Sequence, residues 1–230
     1  MIDVLGPLEW QAVFLSLKVA CWATVAILPV GLLTAFALAR WEFRGKTILN
    51  GVVHLPLVLP PVVTGYLLLL IFGRQGFVGA ALQELGIVFV FRWTGAALAA
   101  AVMAFPLMVR ALRLGFEAID PKLEQAAQTL GASPIWVFAT VTLPLMIPGI
   151  LTGAILAFAK ALGEFGATIT FAANIPGQTQ TIPTAIYAAL QVPGQENKAT
   201  WLVMISIVLA LSALLLSEIL ARQARRRLGA

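Results

Sequence analysis

Long apolar stretches dominate this 230-residue sequence and confine it to a membrane. A bilayer core of about 30 Å takes about 20 mostly apolar residues per spanning helix. Five stretches approach or exceed this length: residues 13–39, 49–72, 93–112, 145–162 and 201–220. The second of them is interrupted by Pro56, Pro60 and Pro61. Only 11% of the residues are charged, whereas soluble domains carry about a quarter. We therefore expect an all-α membrane protein with five transmembrane helices in a single domain, residues 1–230.

The start of the chain does not look like a cleavable signal peptide. It carries Asp3 and Glu9 but no Lys or Arg, and its first apolar stretch is too long for the short hydrophobic region of a signal sequence. We expect this stretch to stay attached as the first span. The single cysteine, Cys21, lies within it and cannot form an internal disulfide.

Basic residues predict the orientation in the membrane, because loops rich in Lys and Arg stay in the cytoplasm. The loops on one side hold Arg40, Arg44, Lys46, Arg110, Arg113, Lys122, Arg222, Arg225, Arg226 and Arg227. Those on the opposite side hold Arg74, Arg92 and Lys198, with Lys160 near a helix end and Lys18 inside the first span. The N-terminus is therefore expected outside and the C-terminus in the cytoplasm. The last four arginines follow an apolar helix directly, which favours contact with anionic lipid over nucleic acid.

The polar segment 117–144 lies on the cytoplasmic side and contains its own helix signals. Asp120 suits an N-cap, the following proline suits the first helical position, and Gly131 suits a left-handed stop. Ser133 and Pro134 then repeat the start signal. The pattern predicts two short helices around a glycine hinge.

The first of these helices has a narrow apolar face of Leu123, Ala126, Ala127 and Leu130. Lys122, Glu124, Gln125 and Gln128 are expected to leave the opposite face in water. A helix this short is marginal alone, so we expect it to pack beneath the membrane domain or against a partner. The alternative is an inert connection, although 2–8 residues would suffice for that purpose.

Two segments within the spans have features of a transport pathway. Breaks such as the one at Pro60 and Pro61 are tolerated where a helix lines a cavity or a protein contact. Gly163 and Gly166 flank Glu164, close to Thr168, and allow either a helix break or close helix packing. Glu164 can be neutralised by Lys160 four residues earlier, or it can line a pore.

The residues needed for catalysis are sparse. The only histidine is His54, for which we expect a structural hydrogen bond, and no phosphate-binding P-loop motif is present. We expect no catalytic site, no metal site and no cofactor. Lys18, within the first span, is expected to extend towards the outer surface. Residues 182–190 have the spacing of an amphipathic helix at the outer interface. An autonomous channel or intramembrane enzyme is the competing class, and it would act without nucleotide.

One motif in the 117–144 segment resembles the EAA signature of permease subunits in binding-protein-dependent ABC importers. Gln125-Ala126-Ala127 is followed, after three residues, by Gly131 and, after nine more, by Val141-Thr142-Leu143-Pro144. Gln125 stands where the signature has glutamate, and Glu124 stands one residue earlier. Over residues 10–218 the sequence most resembles the molybdate permeases of this family, in particular at 54–63, 123–132 and 162–177.

The resemblance implies a type I ABC importer permease fold and no enzymatic activity in this chain, because separate subunits hydrolyse ATP. It implies a homodimer in the bacterial inner membrane, two cytoplasmic ATP-binding subunits, and a periplasmic or otherwise extracytoplasmic molybdate-binding protein. The implied ATPase-coupling residues are Glu124, Gln125, Ala126, Ala127, Gly131, Leu143 and Pro144. Candidate pathway or gate residues are Pro60, Pro61, Gly163, Glu164, Gly166 and Thr168. A permease for tungstate, sulfate or thiosulfate is the alternative.

Overall fold

The computed structural model describes residues 5–227, apart from the side chains of residues 217, 218 and 220–227. Asp3 and the side chains of the four C-terminal arginines therefore lie outside the description. No strand occurs within residues 5–227. The helices are α1 (Pro7–Arg40), α2 (Lys46–Val58), α3 (Pro61–Phe72), α4 (Phe77–Glu84), α5 (Trp93–Ala118), α6 (Pro121–Thr129), α7 (Pro134–Val137), a π-helical turn (Phe138–Thr142), α8 (Leu143–Leu145), α9 (Ile147–Leu162), α10 (Gly166–Ala172), α11 (Ile182–Leu190) and α12 (Glu196–Arg227).

Three straight helices are long and apolar enough to cross a membrane: α1, α5 and the Glu196–Leu216 part of α12. Two further spans are possible only as bent pairs of helices. The helix axis bends by 115° between α2 and α3, and by 64° between the Pro134–Leu145 segment and α9. The described chain therefore has between three and five candidate spans, and the predicted number is the upper limit.

The second predicted span breaks at one place, not at three prolines. Pro60 is extended, with φ −54° and ψ 135°, because a residue before proline is disfavoured in the helical region and Pro61 follows it. Pro56 instead lies inside α2, which continues to Val58. A single proline removes one hydrogen bond from a helix, whereas two in succession also force the backbone out of the helix.

The order of contacts shows how the chain runs through the bundle. Trp22 of α1 contacts Trp93 at the start of α5, and Phe36 of α1 packs on Phe116 near its end, so the two helices are parallel. The bent pair α2–α3 returns the chain between them. We call the two ends of the bundle the Arg40 end and the Glu9 end, after residues of α1.

α12 begins again at the Glu9 end, where Lys198 forms an ion pair with Glu9 at 3.1 Å. The amphipathic helix predicted near this end is confirmed as α11, which buries Ile182 and Ala185. The Ile182 N–H donates to Ser16 Oγ of α1 at 2.7 Å. Lys18 is exposed, and its ammonium lies 3.7 Å from the centre of the Trp93 ring.

Small residues form the centre of the bundle. Ala20, Ala96, Ala100 and Ala104 are fully buried between α1 and α5. Gly153 of α9 faces α5 so closely that an added Cβ would touch the Met108 carbonyl at 3.4 Å. Without large side chains between them, these helices approach closely and gain van der Waals contact, which is the main source of helix association in an apolar medium.

Candidate functional site

The predicted hinge in the 117–144 loop is confirmed by its hydrogen bonds. Asp120 Oδ1 accepts the Lys122 N–H at 2.9 Å and caps α6. At the other end Gly131 is left-handed, with φ +89°. Its N–H donates to the Gln128 carbonyl, and the next N–H donates to the Ala127 carbonyl. This is the Schellman pattern, which ends a helix and turns the chain sharply.

The second half of the loop differs from the prediction of a short helix. Ser133 Oγ caps it as expected, but the helical path continues through the π-helical turn to Leu145. The Leu143 N–H donates to the Phe138 carbonyl five residues back. Pro144 explains this turn, because it has no N–H to donate and its ring displaces the carbonyl four residues earlier. The loop therefore runs directly into α9.

The environment of Glu124 on α6 differs from the one predicted. It is not in water, and its side chain is only 20% exposed. Its Oε1 accepts hydrogen bonds from Arg40 Nη2 at 3.2 Å and from Thr142 Oγ1 at 2.7 Å. Lys122, Gln125 and Gln128 are exposed as predicted. The predicted apolar face of α6 is also largely open, since Ala127 is its one half-buried member and no residue of α6 is buried.

The other EAA-like residues divide into two groups. Gln125, Ala126 and Gly131 are exposed and Ala127 is half-buried, so this part of the motif is accessible from outside the chain. Leu143 and Pro144 are half-buried at the junction with α9.

A cluster of large apolar side chains projects from the hinge. Leu130, Ile135 and Trp136 are 89%, 83% and 63% exposed, and we call them the hinge patch. The apolar period of α6 indicated Leu130 but not the other two. Their signal in the sequence was the apolar pair directly after the Ser133-Pro134 start. Side chains of this kind, rimmed by polar residues, mark an interaction surface.

The two candidate pathway segments meet at the contact between α3 and α10. A Cβ on Gly166 would lie 2.7 Å from Pro61 Cβ, and one on Gly65 would lie 2.7 Å from the Ala167 carbonyl oxygen. The chain breaks between α9 and α10 at Gly163, whereas Gly166 makes the close approach. Both uses proposed for the two glycines therefore occur, one at each position.

Glu164 is buried beside this contact with both oxygens occupied. Oε2 accepts from Lys160 Nζ at 2.7 Å, and Oε1 accepts the Ala167 N–H at 3.0 Å. The neutralising pair is therefore formed, and its carboxylate also caps the start of α10. Thr168 is buried, Gly163 and Pro60 are exposed, and Thr64 Oγ1 is buried without a hydrogen-bond partner.

His54 makes a local contact, since its Nδ1 lies 2.9 Å from the Asn50 carbonyl one turn earlier. Within residues 5–227 no group of three or more His, Cys, Asp or Glu side chains could hold a metal ion.

Comparison with known sequences gives a match along nearly the whole chain. Residues 27–228 match the family described as binding-protein-dependent transport system inner membrane component. The molybdenum transport system permease protein ModB of Escherichia coli K12 is 59% identical over 98% of this chain and 99% of its own length. ModB of Haemophilus influenzae is 55% identical over 96% and 97%. The sulfate transport system permease protein CysT of Salmonella typhimurium is 36% identical over 96% and 79%.

Solved structures share the fold at low sequence identity. A bacterial alginate ABC transporter, in complex with an alginate-bound periplasmic protein, has a chain with a TM-score of 0.74 at 18% identity, covering 95% of this chain and 80% of that one. The MetNI methionine ABC transporter, in an inward-facing conformation, has one with a TM-score of 0.70 at 16% identity, covering 94% of each chain.

Proposed function

Because this chain belongs to the family of binding-protein-dependent transport system inner membrane components, we propose that it is the transmembrane subunit of an ATP-driven importer and forms the translocation pathway for molybdate. The observation that supports molybdate as the substrate is the full-length similarity to ModB. The whole chain, residues 1–230, then acts as one permease domain with 117–144 as its cytoplasmic coupling loop.

ATP is hydrolysed by a separate subunit, and two copies of it dock on the coupling loops of a homodimer. The hinge patch and the exposed Gln125 support this assignment, because they leave apolar and polar groups of the loop unpartnered by this chain. Glu124 is engaged by Arg40 and Thr142, so Gln125 is the residue of the motif that reaches the ATP-binding subunit.

The chain crosses the bacterial inner membrane five times, with the N-terminus outside and the C-terminus in the cytoplasm. Two ion pairs support this path. Arg40–Glu124 brings the end of α1 to the coupling loop, and Glu9–Lys198 brings the start of α12 back to the start of α1. The basic residues concentrate at the Arg40 end, as expected for the cytoplasmic side. An extracytoplasmic molybdate-binding protein delivers the anion to the Glu9 end.

The gate lies at the contact between α3 and α10, which unites Pro60 and Pro61 with Gly163, Glu164, Gly166 and Thr168. The buried carboxylate of Glu164 and the half-buried ammonium of Lys160 compensate each other, so this pair presents no uncompensated positive charge to the anion. This suits transport, because a dianion held tightly by fixed positive charge would not be released.

The test is uptake of radioactive molybdate by proteoliposomes containing the chain, its ATP-binding subunit and its binding protein. We expect uptake that requires ATP inside and the binding protein outside. Uptake without nucleotide would overturn the proposal in favour of a channel. Vesicles that hydrolyse ATP but take up none of the oxyanions would also contradict it.

A permease for a related oxyanion is the second candidate, supported by the 36% identity to a sulfate permease. Competition by excess sulfate, thiosulfate or tungstate in the same vesicles separates the two. Sulfate or thiosulfate displacing molybdate at equal concentration would favour this alternative.

A further inference from the structure

We propose that Glu124 is a positioning residue that clamps the coupling helix α6 to two membrane helices at once, which rests on the proposed function of the chain. The clamp consists of Arg40 at the end of α1, Glu124 on α6 and Thr142 before α9. Its role is to transmit a displacement of α6, imposed by the ATP-binding subunit, to the spans.

One carboxylate oxygen holds the three elements together. Glu124 Oε1 accepts from Arg40 Nη2, 84 residues away in the sequence, and from Thr142 Oγ1, 18 residues away. Hydrogen bonds to an ionised group are about twice as strong as those between neutral groups. Among the side-chain hydrogen bonds of the described residues, these two are the ones that join an α6 side chain to another element.

Thr142, the last residue of the π-helical turn, donates to this oxygen and not to a local carbonyl. Threonine within a helix usually donates its hydroxyl to the carbonyl four residues earlier. Six threonines of this chain do so: Thr24, Thr34, Thr140, Thr152, Thr170 and Thr200. Thr142 instead donates to Glu124, although its side chain is buried. This hydrogen bond therefore joins α6 to the π-helical turn that leads into α9.

The spans already share a rigid base at this position, whereas α6 does not. Phe36, one turn before Arg40, packs edge-on against Phe116 of α5 and Phe138 of the π-helical turn, at ring distances of 5.4 and 5.5 Å. α6 contributes no ring to this cluster and no buried residue. Apart from the covalent connections at its two ends, α6 is therefore joined to this base through the hydrogen bonds of Glu124.

The first test measures molybdate imported per ATP hydrolysed by the complete complex. Thr142→Val keeps the shape of the side chain and removes its donor, and Glu124→Ala removes the acceptor. Glu42→Gln is the control. Glu42 is an exposed carboxylate near the same end, and it pairs only four residues away, with Lys46, so it joins no distant elements. We expect each clamp variant to lower the import-to-hydrolysis ratio about tenfold, as for loss of a hydrogen bond to a charged group, with the control unchanged.

The double variant should be no worse than Glu124→Ala, because both changes break the same contact. The amount of ATP-binding subunit that co-purifies should stay at the wild-type level. An unchanged ratio in both single variants would overturn the clamp, as would a fall that only follows loss of bound subunit. Failure of the wild-type complex to import molybdate would instead overturn the proposed function.

The second test does not depend on transport. Lys122 is exposed in α6, two residues before Glu124, and trypsin can cleave after it once the helix opens. We expect both clamp variants to be cleaved there about tenfold faster than the wild type and Glu42→Gln, in the full chain in inside-out vesicles, because local opening tracks the lost contact. Equal cleavage rates in all four proteins would contradict the proposal.

Discussion

Successive residues of a helix point about 100° apart, and this rotation separates the roles of Glu124 and Gln125. Glu124 turns towards Arg40 and Thr142, so its neighbour necessarily turns outward. The side chain that matches the signature position is therefore the free one, although it is an amide. As an amide it carries no charge, but it can both donate and accept hydrogen bonds.

Gly65 shows how tightly single atoms constrain the α3–α10 contact. We predict that Gly65→Ala lowers stability by about 1–3 kcal/mol, because overpacking of a close contact forces the backbone apart. The added Cβ would lie 2.7 Å from the Ala167 carbonyl oxygen and 2.8 Å from Thr170 Cβ. Thermal unfolding of the purified chain in detergent measures the effect.

Gly51→Ala is the control for this prediction. Gly51 also lies within a helix, α2, but no atom lies within 4 Å of its added Cβ. Alanine there should be neutral or stabilising by up to about 1 kcal/mol, from its higher helix propensity. Equal unfolding temperatures for the two variants would mean that α3 and α10 are not packed as closely as described.

At the scale of elements, the parts of the site that depend on neighbouring residues could be predicted from the sequence. The Asp120 and Ser133 caps and the Gly131 stop are local, and all three form as expected. Contacts between distant residues could not be predicted, because periodicity does not say which face of a short helix meets the rest of the protein. Glu124 was therefore placed in water.

The bends follow the same division between local and distant causes. Pro60 and Pro61 marked the break between α2 and α3, but they predicted neither the 115° bend nor the close packing of α3 against α10. Pro144 lies beside the π-helical turn, yet nothing in the local sequence indicated that the helix would continue through it into α9. Sequence pattern thus located the irregular points without specifying their geometry.

The hinge between α6 and α7 should be required for docking and dispensable for insertion. We predict that Gly131→Trp abolishes co-purification of the ATP-binding subunit and uptake, while the chain still reaches the membrane. A large residue in the left-handed conformation costs about 1–2 kcal/mol and would also cover the hinge patch. Affinity purification followed by quantification of both subunits measures the effect.

Gly194→Trp is the matched control, because Gly194 has a similar positive φ of +84° and equally open surroundings near the Glu9 end. It should suffer a similar loss of stability and keep its ATP-binding subunit. Normal uptake by Gly131→Trp would count against the coupling role of the loop. Equal loss of the subunit in both variants would attribute the effect to misfolding.

At the scale of the whole molecule, the number of crossings depends on the two bent pairs. α1 and α5 are parallel, and α12 starts where α1 starts, so the chain must return twice between these helices. Each return is made by a bent pair, α2–α3 or the Pro134–Leu145 segment with α9. Both pairs must cross the bilayer if the chain has five spans.

Single cysteines on exposed residues at either end of each bent pair test this arrangement. Glu42 and Gln83 bracket α2–α3, and Gln128 and Gln191 bracket the return through α9 and α10. Cys21, the only native cysteine, is first replaced by serine. We predict that a membrane-impermeant maleimide labels Glu42→Cys and Gln128→Cys only in inside-out vesicles, and Gln83→Cys and Gln191→Cys only in right-side-out vesicles. Chain carrying Cys21 alone should react in neither, because that residue lies about 20 Å along the apolar helix α1 from its start, well inside the candidate span. If both cysteines of a pair are labelled from the same side, that bent pair enters and leaves the membrane on the same face. The five-span arrangement would then be wrong, because all later segments of the chain would have the opposite orientation.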